Sequence, residues 1–261
     1  MAQMTNAKSS AAAALCLLSS LLWQPFTAFA ADLEVISAGA VRGVLRGVID
    51  DYSKSTGRQF KFTIGSTGQL REIIASGKPA DLIIASATLM GELEKTGKMT
   101  PGSRVDFGRI GLGVVVREGA ALPDVSTPEA VKQALFAAKS IAYTDPKLGG
   151  TSYLHLIRMS DSFGITAVVT AKGVHATGGD DAAAKVAEGK AELAIVLISE
   201  IHAKGAKLVA PLPEALQLWT VYAAAIPASS TQPKEARDFV TALTGPALRD
   251  KWIAAGWLLA K

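Results

Sequence analysis

The chain has 261 residues, enough for one large domain or two lobes. Apolar residues make up 49% of it, aromatic residues only 6%, and the formal net charge is +4. This mild positive excess fits an anion-attracting surface. The sequence lacks the clustered basic residues and stacking aromatic residues that nucleic-acid binding requires.

The first thirty residues have the order of a secretory signal peptide. Lys8 is their one charged residue, and the apolar run 11–22 is well short of the roughly 20 residues that a membrane-spanning helix needs. Ala28 and Ala30 then supply an A-x-A cleavage site. We therefore expect cleavage after Ala30, a periplasmic location and no stable membrane anchor.

Cys16 is the single cysteine of the chain and lies within this segment. The bulky Leu15 before it argues against a lipid-modified cysteine. A mature chain that begins at Ala31 would contain no cysteine, so we expect no disulfide, thiol nucleophile or thiolate metal site.

Strand and helix signals alternate along the first third of the mature chain. The predicted elements lie, in turn, over 33–37, 40–54, 60–64, 66–76, 81–85 and 87–95. Three strand–helix units in so short a segment predict a parallel, doubly wound sheet.

The second half begins with a long predicted strand over 107–116. A helix follows that has Thr127 as its N-cap and Pro128 at its first position. The remaining predictions are strands over 140–143, 191–197 and 218–226 and helices from 151 and over 181–188, 236–243 and 247–255.

This order predicts an α/β fold of two lobes, each a doubly wound, mainly parallel sheet flanked by helices. Residues 31–110 and 218–261 would form the first lobe and residues 111–217 the second, joined by two crossing strands. A single undivided α/β sheet is the alternative.

Three predicted strands end in a turn of small residues that starts a helix, at 37–40, 65–68 and 149–152. A helix start leaves backbone N–H groups unpaired and carries about half a positive charge. Small residues let an anion approach these donors, and the hydroxyls of Ser66, Thr67, Thr151 and Ser152 can add to them. N-capping explains one such turn, so the predicted anion site depends on three turns facing one cleft.

The sequence resembles the periplasmic molybdate-binding proteins of ABC transporters, which have the type II periplasmic binding fold. The matching segments occur in the family's order over nearly the whole mature chain, at 35–40, 64–70, 78–85, 141–146 and 192–197. With the small-residue turns, this resemblance implies ligand contacts at Ala38, Gly39, Ala40, Arg42, Ser66, Thr67, Gly68, Gly150, Thr151, Ser152 and Leu197.

Two of these positions differ from the family's oxyanion contacts. A serine of the first turn is replaced by Ala40, and a tyrosine of the late buried strand by Leu197; only the second-turn serine has a counterpart, Ser66 or Thr67. Each lost donor is ordinarily worth about 1.5–3 kcal/mol when charge-assisted. We therefore expect a di- or tricarboxylate ligand in place of molybdate.

Arginine could replace the lost donors, because a guanidinium group binds a carboxylate through two hydrogen bonds. Arg42 is the candidate, since it lies in the first turn of the first predicted helix. Arg46, Arg71 and Arg158 are interpreted as solvated charges on helix faces.

Two functions remain open. The first is a periplasmic receptor that passes a small anion to the permease of an ABC-type transporter. The second follows from the resemblance, because some relatives of the family are periplasmic aconitate isomerases. Such an enzyme needs a base, for which His155 and Tyr143 are the candidates. Neither belongs to a signature, so binding is placed ahead of catalysis.

The sequence contains no motif of the other enzyme classes considered. It contains no G-x-S-x-G turn, Walker loop or H-E-x-x-H pair. His155, His175 and His202 are far apart in sequence, so we expect neither a metal site nor a cofactor.

Overall fold

A computed structural model describes residues 31–260. The predicted signal peptide and Cys16 lie outside these residues. Within them, the strands are β1 (Leu33–Ala38), β2 (Phe60–Gly65), β3 (Leu82–Ser86), β4 (Val105–Ile110), β5 (Leu112–Arg117), β6 (Ile141–Thr144), β7 (Gly173–Ala176), β8 (Leu193–Leu197), β9 (Ala206–Pro211), β10 (Thr220–Ala225) and β11 (Leu258–Leu259).

The helices of the described chain lie between these strands and after β10. They are α1 (Arg42–Thr56), α2 (Thr67–Ala75), α3 (Ala87–Lys95), α4 (Pro128–Ala137), α5 (Thr151–Ser162), α6 (Thr166–Ala171), α7 (Gly179–Ala187), α8 (Pro233–Thr244) and α9 (Arg249–Ala254). Short 3-10 helices at Gly39–Val41 and Ile198–Glu200 follow β1 and β8 directly. No helix among residues 31–260 has the length and apolar character needed to cross a bilayer.

The strands form two sheets, which confirms the predicted α/β fold with two helix-flanked sheets. The first has the order β11-β4-β10-β3-β1-β2 and the second β7-β6-β8-β5-β9. Each contains a parallel group, β2-β1-β3 or β7-β6-β8, and its other pairs are antiparallel. The sheets are therefore mixed rather than mainly parallel, because the strand that follows each crossing, β5 or β10, runs against the parallel group.

The long strand predicted over 107–116 is two strands in different sheets. Gly111 alone separates the end of β4 from the start of β5. The amide of Gln217, in the returning segment, accepts from Leu112 N–H at 2.7 Å and donates to Leu112 O at 3.0 Å. A Cβ on Gly111 would lie 3.0 Å from that amide. These hydrogen bonds hold the segment that leaves the first sheet at Gly111 beside the segment that returns to it at Gln217.

Several helix boundaries follow from local chemistry. Ser66 and Gln69 form a capping box at the start of α2, and Thr127 caps α4 as predicted. Gly57 ends α1 with a φ of 72°, in the left-handed region that glycine adopts without strain. Every residue of β3 and β8 is buried, as their continuous apolar runs predict.

An aromatic group packs against the first sheet and positions one wall of the cavity described below. Trp252 and Trp257 meet edge to face with ring centroids 5.0 Å apart, and Trp257 meets Tyr222 of β10 in the same way at 5.3 Å. Trp252 donates through Nε1 to Leu243 O at 2.9 Å. Trp257, in the segment between α9 and β11, therefore packs against Tyr222 and holds it in place.

Candidate functional site

A cavity of about 490 Å³ lies between the two sheets' strand ends. Several helices that follow strands of either sheet begin at its wall. Residues from β1, β2, β10 and the segments after them contribute Ala38, Gly39, Ala40, Arg42, Ile64, Gly65, Ser66, Thr67, Gln69 and Tyr222. Residues 144–200 contribute Thr144, Gly150, Thr151, Ser152, Thr177, Gly178, Gly179, Asp180, Asp181, Ala184, Leu197 and Glu200. Carboxyl ends of strands in open α/β sheets are the usual place for a ligand.

Most of the residues predicted as ligand contacts belong to this lining. They are Ala38, Gly39, Ala40, Arg42, Ser66, Thr67, Gly150, Thr151, Ser152 and Leu197. Gly68 lies just outside it. That these residues contact a ligand stays a prediction.

The hydroxyls of the second turn are already engaged by the protein. Ser66 Oγ accepts from Gln69 N–H at 3.3 Å and donates to Leu148 O at 2.5 Å. Thr67 Oγ1 lies 3.0 Å from Thr151 Oγ1. Ser66 therefore serves the capping box and the contact with the facing turn. The N–H groups of Ser66, Gly68 and Gln69 are bonded as well, so Thr67 N–H is the donor of this turn that has no partner among the described residues.

The turns at 65–68 and 149–152 touch each other directly. Gly68 N–H donates to Gly149 O at 3.0 Å. A Cβ on Gly68 would overlap Leu148 O and lie 3.1 Å from Gly149 Cα. Glycine at position 68 is thus required by a close backbone approach, which closes one side of the cavity.

A fourth helix start, which is not among the three predicted turns, completes the cavity. Thr177, Gly178, Gly179 and Asp180 connect β7 to α7 and line it. Gly178 caps α7 without a side-chain hydrogen bond, so the first N–H groups of the helix have no side-chain partner at that cap. The Thr-Gly-Gly-Asp pattern was the available signal, but the short β7 before it was not predicted.

Arg42 reaches across the cavity to Asp180. The two side chains form an ion pair between Arg42 Nη1 and Asp180 Oδ2, with Arg42 40% and Asp180 21% exposed. Arg42 Nε is buried and has no hydrogen-bond partner within the described residues. Because the Arg42 side chain is 40% exposed at the cavity wall, its guanidinium group is suited to an anionic ligand.

Glu200 is a buried carboxyl group in the cavity wall. Only 8% of the residue is exposed, and its Oε2 accepts from Leu197 N–H at 3.3 Å. Burial and the charge of Asp180 raise its pKa to about 8, against the opposing effects of the Leu197 hydrogen bond and Arg42. Burial and Glu200 likewise raise the pKa of Tyr222, which lines the same cavity.

Glycines make room for this carboxyl group. A Cβ on Gly179 would overlap Glu200 Oε2, and a Cβ on Gly39 would lie 3.5 Å from Oε1. Glu200 is not predictable from the sequence, because one glutamate after an apolar strand has no distinguishing motif.

The two bases suggested by the sequence lie elsewhere. His155 is absent from the cavity lining, and its Nε2 donates to Leu216 O at 2.7 Å. Tyr143 is also absent; its ring stacks on Tyr153 with centroids 5.4 Å apart, and its hydroxyl group faces Gly173 so closely that a Cβ there would overlap it. The geometry therefore gives neither residue access to a ligand in this cavity.

The other basic candidates are on the surface. Arg71 pairs with Glu92 at 2.9 Å, with both side chains about half exposed. Arg46 and Arg158 are exposed residues of α1 and α5. Within residues 31–260 no group of three or more histidine, cysteine, aspartate or glutamate residues could hold a metal ion.

A family model described as bacterial extracellular solute-binding protein matches residues 33–258. An aconitate isomerase from Pseudomonas sp. is 32% identical over 225 residues, which cover 82% of this chain and 81% of that protein. The molybdate-binding protein ModA of Azotobacter vinelandii is 27% identical over 184 residues, 67% of this chain and 68% of that one.

Solved structures share the fold. The periplasmic molybdate-binding protein of Azotobacter vinelandii superposes with a TM-score of 0.71 at 24% identity, covering 88% of this chain and all of that one. The sulfate-binding protein SubI of Mycobacterium tuberculosis superposes with a TM-score of 0.69 at 17% identity, covering 89% and 88%. The chain thus has the fold of type II periplasmic binding proteins.

Proposed function

Because the chain belongs to the family of bacterial extracellular solute-binding proteins, we propose that its cavity binds a small polycarboxylate and interconverts trans- and cis-aconitate. The observation that carries this proposal is the 32% identity to an aconitate isomerase over four-fifths of both chains. The family match, over residues 33–258, contains every residue that lines the cavity.

Anion binding is supported by the groups that face the cavity. Helices α2, α5 and α7 all begin at its wall, and each helix start carries about half a positive charge. The starts of α5 and α7 add N–H donors, whereas at α2 the N–H groups of Ser66, Gly68 and Gln69 are bonded within the protein. Arg42 adds a partly exposed guanidinium group, which is paired with Asp180. Three helix starts and one guanidinium group suit a ligand with several carboxylates better than a single compact oxyanion.

The size and lining of the cavity also favour a carboxylate over molybdate. Its volume of about 490 Å³ lies within the usual range for small-molecule sites. Ala40 and Leu197 line it without a hydroxyl group, so two hydrogen bonds that would hold a tetrahedral oxyanion in the resembled family are lost.

The proposal includes closure of two lobes around the ligand. Residues 31–110 with 218–261 would move as one lobe and residues 111–217 as the other, bending at Gly111 and near Gln217. The contact between Gly68 and Gly149 would form on closure. Closure would exclude water and strengthen the electrostatic interactions that stabilise a developing carbanion.

We further propose that the protein acts in the periplasm after cleavage behind Ala30. The family's extracellular description and the signal-like segment 1–30 support this location.

A receptor without catalysis is the second candidate. It is supported by the family's solute-binding description and by the similarity to a molybdate-binding protein. Such a receptor would hold the same anion and pass it to the permease of an ABC-type transporter.

Incubation of the purified mature protein with trans-aconitate in deuterated buffer tests the proposal. Isomerisation predicts the appearance of cis-aconitate and deuterium at the methylene carbon by NMR. Binding detected by calorimetry, with trans-aconitate unchanged at high protein concentration, would overturn the isomerase proposal and leave the receptor. A thermal-shift panel of molybdate, tungstate, sulfate, citrate and both aconitates identifies the ligand class, because a tight ligand raises the melting temperature.

A further inference from the structure

We infer that Glu200 is the residue that carries the proton between the two carbon atoms in this isomerisation, an inference that rests on the proposed function. Its carboxyl group is buried and lines the cavity. It lies beside Gly39 after β1, Gly179 at the start of α7 and Leu197 at the end of β8.

The other acidic groups of the lining are either bonded to protein partners or have a raised pKa. Asp180 pairs with Arg42, and Asp181 accepts from Thr177 N–H at 2.8 Å. Tyr222 has a raised pKa, so its phenolate is a poorly populated base. Glu200 uses Oε2 for the Leu197 hydrogen bond, and within residues 31–260 its Oε1 accepts none.

The groups that face Glu200 suit it to proton transfer near neutral pH. Asp180 on α7 disfavours its ionised form, and Arg42 on α1 and the Leu197 N–H favour it. Tyr222 on β10 faces it as a neutral phenol. The resulting pKa of about 8 is close to a working pH, where a group can both accept and return a proton.

The reaction needs no co-reactant. Glu200 as carboxylate removes a proton from the methylene carbon, and the C–H electron pair forms a new double bond to the central carbon. The former double-bond pair moves to the far carbon, where the adjacent carboxyl group and the helix starts stabilise the charge. Glu200 then returns the proton to that carbon and becomes a carboxylate again.

Glu200→Gln is the test, because glutamine keeps the shape and the acceptor for Leu197 N–H but cannot titrate. We expect turnover of trans-aconitate to fall by roughly 10²–10⁴-fold, the usual worth of a general base. Methylene deuterium exchange should fall in parallel, while the dissociation constant changes less than about threefold. The matched control is Glu188→Gln, which should keep wild-type turnover. Glu188 is a half-exposed glutamate directly after α7 and does not line the cavity.

The pH profile distinguishes proton transfer from a structural role. Wild-type kcat/KM should rise with pH toward about 8, as the carboxylate forms. If the wild type isomerises and Glu200→Gln does so equally well, the assignment of Glu200 is overturned while the proposed function stands. If the wild type binds trans-aconitate without isomerising or exchanging it, both are overturned.

Discussion

Arg42 and Asp180 form an ion pair that joins the start of α1 to the start of α7 across the cavity. One partner carries the charge that an anionic ligand needs, and the other carries a charge that repels it. The Arg42 side chain stays 40% exposed while Nη1 pairs with Asp180, so the guanidinium group can still contact a ligand. The pair therefore positions Arg42 at the cavity wall.

Substitution of Arg42 by alanine should weaken the binding of trans-aconitate by about 1.5–3 kcal/mol, the usual worth of a charged hydrogen bond. Asp180, left unpaired, would add repulsion. Isothermal calorimetry measures the change, with Arg158→Ala on the exposed face of α5 as control. Equal affinities for the wild type and Arg42→Ala would mean that the helix starts alone hold the ligand.

Substitution of Asp180 by asparagine should move the pH dependence of turnover toward lower pH. The charge of Asp180 raises the pKa of Glu200, and its loss also leaves Arg42 free to stabilise the carboxylate. The midpoint of kcat/KM against pH measures this shift. Asp161→Asn on α5 is the control, and an unmoved midpoint in Asp180→Asn would contradict the coupling.

The stability of the protein should fall as pH rises toward 8. The pKa of Glu200 is raised in the folded protein from its ordinary 4.5 to about 8, so the folded state holds this proton more tightly. The resulting stabilisation is complete below the unfolded pKa and is lost as pH rises through the folded pKa, on the order of a few kcal/mol. Urea unfolding at pH 5 and pH 8.5 should show a smaller difference for Glu200→Gln than for the wild type.

Substitution of Gly68 by alanine should weaken ligand binding by at least tenfold, or about 1.4 kcal/mol. The new Cβ would overlap Leu148 O and separate the two turns that close the cavity. Gly91→Ala is the matched control, because a Cβ on this α3 residue meets nothing within 4 Å. That control should keep affinity and raise stability by about 0.5–1 kcal/mol. Unchanged affinity in Gly68→Ala would argue that the Gly68–Gly149 contact is unrelated to binding.

Molybdate should bind weakly, because Ala40 and Leu197 provide no hydroxyl group to the cavity. The double variant Ala40→Ser with Leu197→Tyr should bind it more tightly, by about 1.5 kcal/mol or more if one charge-assisted hydrogen bond is regained. Calorimetry with molybdate checks both statements. Tight binding by the wild type would show that backbone donors suffice.

Much of the cavity wall was predictable, because small residues after apolar strands mark helix starts whatever the tertiary fold. The turn at 177–180 was missed since β7 has only four residues, including a glycine and an exposed histidine, and so lacks an apolar run. The junction at Gly111 was missed for the opposite reason: the apolar pattern continues through it although the chain changes sheets.

The chemistry of the cavity was less predictable than its backbone. His155 and Tyr143 were selected for their side-chain type, but the face of a helix or strand that meets the ligand depends on tertiary packing. Glu200 acquires its chemistry from residues distant in sequence, above all Asp180 and Gly39. Neither secondary-structure propensity nor a sequence motif predicts which distant residues lie close together in the fold.

The place of β10 in the first sheet has a consequence for the order of folding. This strand lies between β3 and β4, although it is about 110 residues later in the chain than β4. Until it arrives, β3 and β4 have unpaired edges and the first sheet has no continuous hydrogen-bonded ladder, whereas all strands of the second sheet lie within residues 112–211. We expect the second sheet to form early and the first to remain incomplete until residues 220–225 have been synthesised.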